Sequence, residues 1–123
     1  MANPTREPFL AYFLVHAAML RRQVGIAPAT AERLATRARA LELLADLVRA
    51  LPEDDERLLV LGTLAVRNDQ FVPGPGAEHA LIQFVATSIE ACDVFLATLV
   101  QIARDDAIAR ARAHAGLPRE RPR

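Results

Sequence analysis

Between Ala77 and Gly116 the chain contains no glycine or proline. This is a run of roughly 38 residues, about 57 Å of α-helix at 1.5 Å per residue. Leu81, Val85, Ser88, Cys92, Phe95, Leu99 and Ile102 share one helical face, and Ile82, Ile89, Leu96, Val100 and Ala103 share another. The polar stripe, made of Gln83, Thr87, Glu90, Gln101 and Arg104, is narrow, so such a helix must be covered on most sides. It is also much longer than anything else in the chain, so it either kinks or projects its Arg104 to Ala115 end beyond its neighbours.

Three shorter helical patterns precede it. The first begins near Thr5 or Pro8, ends near Gly25, and carries two apolar stripes, Phe9, Phe13, Ala17, Leu20 and Leu10, Leu14, Ala18, Val24. The second follows Pro28 and Thr30 and ends at Leu51, with Leu34, Leu41, Leu44, Val48 and Leu51 inside and Arg33, Arg37 and Arg49 outside. Pro52 stops it, and Glu53, Asp54, Asp55 and Glu56 then suit the positive end of a third helix reaching Asn68, with Glu53 and Arg57 spaced for an ion pair. Gly62 within that helix points to a close helix crossing. Residues 68–76, punctuated by Pro73, Gly74, Pro75 and Gly76, read as the one long loop, a turn rather than a nucleotide cradle.

The expected fold is therefore all-α, a bundle of about four helices with a long C-terminal helix. One domain spans residues 1–116, and a Pro- and Arg-rich tail over 117–123 is expected to be disordered. The run from Phe9 to Leu20 is too short to span a bilayer, which takes roughly 20 apolar residues, and its basic pair follows it instead of preceding it. No membrane partner is expected.

Fifteen basic residues balance fifteen acidic ones. That balance removes the global field that would favour nucleic acid, and the net-positive distal arginines are read as a solvated helix end. The basic residues are all arginine, the codon bias of a GC-rich bacterial genome. A single cysteine, Cys92, excludes an internal disulfide framework and fits a reducing cytoplasm; on an apolar face it reads as a buried structural thiol. His16, His79 and His114 are widely separated and lack metal-ligand spacing.

Glu90 and Asp93 are spaced i, i+3, so both carboxylates fall on one side of a helix, where they could share Mg2+. The stretch from Glu90 through Asp93 to Val100 resembles the second metal motif of the all-alpha nucleotide pyrophosphohydrolases of the MazG type. That resemblance implies a Mg2+-dependent enzyme, with Glu53 and Glu56 supplying the family's earlier acidic pair. Glu42 and Asp46, spaced i, i+4, could complete such a site from the second helix. The bland reading of these residues is a helix start and solvated, ion-pairing faces.

The leading expectation is a non-enzymatic cytoplasmic bacterial module without cofactor, self-associating and binding a protein partner through its final helix. The surplus apolar residues assigned to association are Phe9, Phe13, Ile82, Ile89, Leu96 and Val100. The alternatives are the Mg2+-dependent pyrophosphohydrolase, or a small nucleic-acid-binding subunit of a larger complex.

Overall fold

A computed structural model describes residues 6–26 and 28–116. In chain order the helices are α1 (Arg6–Val24), a 3-10 turn (Pro28–Thr30), α2 (Ala31–Ala50), α3 (Glu56–Ala65), α4 (Pro75–Gln83) and α5 (Ile89–His114). The all-α class and the long C-terminal helix are as expected. The expected tail over 117–123 lies outside the described residues.

Helices α1 and α2 form an antiparallel hairpin. Arg6 at the start of α1 donates to the carbonyl of Leu51 at the end of α2, and Arg21 grips Glu42 at the other end with two hydrogen bonds of 2.7 Å. Helix α5 packs against α2, α3 and α4. Phe9, Phe13, Leu44, Val48, Leu58, Leu61, Cys92, Leu96 and Leu99 are the largest fully buried side chains, so every helix except short α4 sends bulky groups into one core. Leu81 and Ala77 add the contribution of α4.

Two expectations about helix limits are corrected. The single last helix is in fact two, broken over residues 84–88 without a glycine or proline. Ser88 stops the continuous reading because its Oγ accepts from the amide of Ala91 at 3.2 Å, capping a new helix. Phe84 then folds back to stack on Phe95, with ring centroids 3.8 Å apart, which fixes α4 antiparallel to α5. The far end of α5 does project, since every residue from 108 to 116 is exposed.

The third helix is also shorter than its pattern suggested, starting at Glu56 and ending at Ala65. Asp55 is its N-cap, accepting from the amide of Arg57 at 2.9 Å, while Glu53 and Asp54 lie in the turn before it. Where the helix was expected to reach Asn68, a small hairpin forms instead. Strand β1 (Val66–Arg67) pairs antiparallel with β2 (Gln70–Phe71), joined by Asn68 and Asp69 at φ of 51° and 62°. Asn and Asp tolerate that left-handed region better than other non-glycine residues, so this dipeptide can make the two-residue turn that a hairpin needs. The turn delivers Phe71 to α1, where its ring meets Phe9 and Tyr12 edge-on, each at 4.9 Å between centroids.

The segment read as a turn at Pro73 to Gly76 contains the start of α4, with Pro75 in its first turn. Its amides are capped from a distant residue. Asp106 of α5 accepts from Gly76 N at 3.0 Å and from Ala77 N at 2.9 Å. A carboxylate at a helix N-terminus satisfies donors that have no partner within the helix and complements the positive end of the dipole. The two glycines make room for it, because a Cβ at either position would sit 2.7 Å from an Asp106 atom.

Candidate functional site

The proposed metal ligands do not converge. Among the described residues no three His, Cys, Asp or Glu side chains form a group able to hold a metal ion. Asp93 is instead engaged by Arg57, whose Nη1 donates to its Oδ1 at 2.5 Å. The same guanidinium forks onto Asp55 through Nε and Nη2, both at 3.1 Å. Arg57 thus ties the cap of α3 to the start of α5, its pKa raised by these two hydrogen-bonded carboxylates, and it holds Asp55 below its ordinary value. Glu90 is exposed in the first turn of α5, and Glu53 and Glu56 are exposed on either side of Asp55. Glu42 is held by Arg21, which lowers its pKa through the paired hydrogen bonds. The Mg2+ alternative is left without the convergence it needs.

Cys92 is fully buried, and burial, assisted by the charge of Asp46, pushes its thiol up to about 11. A thiol kept protonated and shielded is a poor nucleophile.

The six residues assigned to association separate into two groups. Phe9, Phe13, Leu96 and Val100 are at most 7% exposed and belong to the core of the chain itself. Their apolar surplus is absorbed by the break after Gln83, which lets α4 fold back along α5, and by Phe71 arriving from the hairpin. Ile82 and Ile89 remain exposed, at 49% and 39%.

A different apolar surface stays open, on the side of α1 turned away from the core. Leu14, Val15 and Met19 are 41%, 55% and 46% exposed, and Ala11 and Ala18 beside them are also exposed. Successive helical residues turn by about 100°, so Glu7, Ala11, Leu14, Val15, Ala18 and Arg22 fall within an arc of roughly 100° opposite Phe9, Phe13 and Ala17. Charged residues close both ends of this strip. Of the second apolar stripe, Leu10 packs against the core while Leu14 and Ala18 stay exposed.

Beside the strip, a cleft of about 120 Å3 opens between α1, α2 and α4. Tyr12, His16, Met19 and Leu20 line it from α1, Arg37 and Leu41 from α2, and Leu81 and Ile82 from α4. Tyr12 and His16 stack at 4.0 Å, with His16 Nδ1 2.9 Å from the carbonyl of Tyr12. Burial, together with the charge of Glu78, raises the pKa of Tyr12 and keeps its hydroxyl neutral. Arg37 is half-buried and its Nε is shielded from solvent with no acceptor. A shielded donor on a cation is costly to leave unpaired. The cleft therefore combines apolar walls with one cation, Arg37.

The strip and the cleft were legible only in part. The repeat of Glu7, Ala11, Leu14, Ala18 and Arg22 at spacings of four and three is present in the sequence, but choosing it as the outer face required knowing which stripe met the core.

No helix is long and apolar enough to cross a membrane among the described residues. The chain matches no protein-family model, no curated protein and no solved structure.

Proposed function

We propose that this chain is a non-enzymatic helical interaction module of the bacterial cytoplasm that self-associates and engages a protein partner. The observation that carries the reading is the outer strip of α1. Three large apolar side chains, Leu14, Val15 and Met19, stay between 41% and 55% exposed within six residues of one helix, and charged residues rim them. Apolar groups gathered on one face with a polar rim mark association surfaces more often than scattered single residues do. The partner surface proposed here accordingly moves from the final helix to the first.

The adjacent cleft supports the second half of the reading. An apolar side chain of a partner would sit between Leu41, Leu81 and Ile82, and an acidic residue next to it would meet the positive charge of Arg37, which lines the same cleft. The occupant proposed is thus an amphipathic acidic segment of another protein.

The test is light-scattering mass after size exclusion over a tenfold concentration range. A mass that rises from the 13.5 kDa of the chain toward twice that value supports self-association. A constant 13.5 kDa, unchanged by Val15→Asp, sinks it.

A further inference from the structure

The outer strip of α1 specifies its own geometry. Read along the helix it runs Glu7, Ala11, Leu14, Val15, Ala18, Arg22, with one charge of each sign at its ends, small residues inside them and the bulky pair at the centre. All six side chains are exposed, and neither Glu7 nor Arg22 makes a hydrogen bond or ion pair with another described residue. The charged pair of α1 that is satisfied internally, Arg21 with Glu42, lies off this strip toward α2.

We propose that α1 is the interface of a twofold homodimer, in which two copies of the helix pack antiparallel about an axis passing between Leu14 and Val15. This rests on the self-association reading above and adds its register. Only this antiparallel alignment brings each end charge onto its opposite: Glu7 meets the partner's Arg22, Ala11 meets the partner's Ala18, and Leu14 meets the partner's Val15. A parallel pairing would set Glu7 against the partner's Glu7 and Arg22 against the partner's Arg22. A twofold interface is isologous, so every contact occurs twice and both Glu7 to Arg22 pairs form. The spacings of four, three and four residues between positions 7, 11, 14 and 18 are those of shallow left-handed helix packing, in which neighbouring axes lie about 8–10 Å apart. Ala11 and Ala18 leave the room that such a distance needs. A zero formal net charge removes long-range repulsion between copies.

The rim charges then set orientation and partner choice. Exposed pairs are individually worth little, but a reversal turns two symmetric attractions into two repulsions, which amounts to roughly a tenfold weakening. Glu7→Arg and Arg22→Glu are each expected to weaken the dimer by about that factor at low salt, with the effect shrinking in high salt. Two combinations restore it. The double variant Glu7→Arg/Arg22→Glu re-forms both pairs within a homodimer, and an equimolar mixture of the two single variants forms a heterodimer with all four charges matched.

Cross-linking reads the register directly. Fully buried Cys92 is shielded from oxidant, so introduced cysteines report alone. Ala11→Cys mixed with Ala18→Cys should give a disulfide-linked dimer. Ala11→Cys by itself should not, because seven residues separate that position from its own copy, about 10 Å along the axis and beyond disulfide reach. The experiment is sedimentation or light scattering on the four charge variants, together with the two oxidised cysteine samples. Rescue by both charge combinations and cross-linking only in the mixed sample is the expected result. A dimer unaffected by either single reversal, or one that cross-links through Ala11→Cys alone, overturns the register and leaves self-association standing. A monomer at every concentration overturns both.

Discussion

Replacing Asp106 by alanine tests whether α4 is held at its start by a side chain thirty residues away. The carboxylate accepts from Gly76 and Ala77 at 3.0 and 2.9 Å, and Ala77 is buried. Losing an N-cap costs about 0.5–2 kcal/mol, and a buried amide left unpaired costs about 1–3 kcal/mol. Water reaching half-buried Gly76 recovers part of this, so we expect Asp106→Ala to destabilise by about 2–3 kcal/mol. That corresponds to roughly 10 °C in Tm for a chain of this size.

Gly74 makes the test sharper. A Cβ there would meet Asp106 first, at 2.7 Å from its Cβ and Oδ2 and 2.8 Å from its Cγ, although φ of −71° and ψ of 176° are open to alanine. Gly74→Ala in the native protein should cost about 1–3 kcal/mol through overpacking or displacement of the cap. Alanine at position 106 removes the Oδ2 and Cγ contacts but keeps the Cβ that lies 2.7 Å away, so a Cβ at position 74 stays crowded in that background although the cap is no longer at stake. The double variant should therefore be less stable than Asp106→Ala, but by less than Gly74→Ala costs in the native protein, because only the Cβ contact remains and not the displaced cap. Urea unfolding of the four proteins, followed by circular dichroism, measures all terms if the m-value is shared. A Gly74→Ala protein or an Asp106→Ala protein as stable as the parent would refute the reasoning.

Phe71→Ala removes the ring that meets Phe9 and Tyr12 on α1, and should cost about 3–5 kcal/mol in the same assay; a loss under about 1 kcal/mol would show that the hairpin does not support α1. Cys92 should resist thiol reagents at pH 8 until urea unfolds the chain. Its thiol is pushed up to about 11 from an ordinary value near 9, so its stabilising contribution is complete below pH 9 and is lost as pH rises toward 11; the parent should therefore lose more stability between pH 9 and 11 than Cys92→Ala. Asp55 and Glu42 are held low by Arg57 and Arg21, so their contribution is present above about pH 4 and is lost as pH falls below it. Asp55→Asn and Glu42→Gln should flatten that acid limb, and an unchanged limb would show the pairs to be idle in solution. Arg57→Lys cannot fork onto Asp55 while also reaching Asp93, and should cost about 1 kcal/mol; retention of full stability would mean that charge alone suffices there.

The sequence by itself determined the helical class, the limits of α1 and α2, and the burial of Cys92, because these follow from local causes. Apolar spacing at 3.6 residues, a proline that stops a helix and an apolar face around a thiol are all readable within one or two turns. Even the break before α5 had a local sign in Ser88, outweighed by the absence of glycine and proline around it. The hairpin had a fainter sign, since Asn68 and Asp69 are a less common form of the two-residue turn than one ending in glycine.

The tertiary structure decided which apolar stripe counts as surplus. Phe9 and Leu14 are both large apolar residues on the same helix, and no local rule ranks them. Phe9 went inside because Phe71 reached it from a hairpin more than sixty residues further along the chain, while nothing arrived to cover Leu14. The same holds for charge. Asp93 could have been a metal ligand until Arg57 came within 2.5 Å of it, and Asp106 could have been solvated until the folding back of α4 placed two free amides against it. Periodicity records which residues share a face, but burial and pairing depend on what lies opposite that face, and this is set by contacts between residues far apart in the chain.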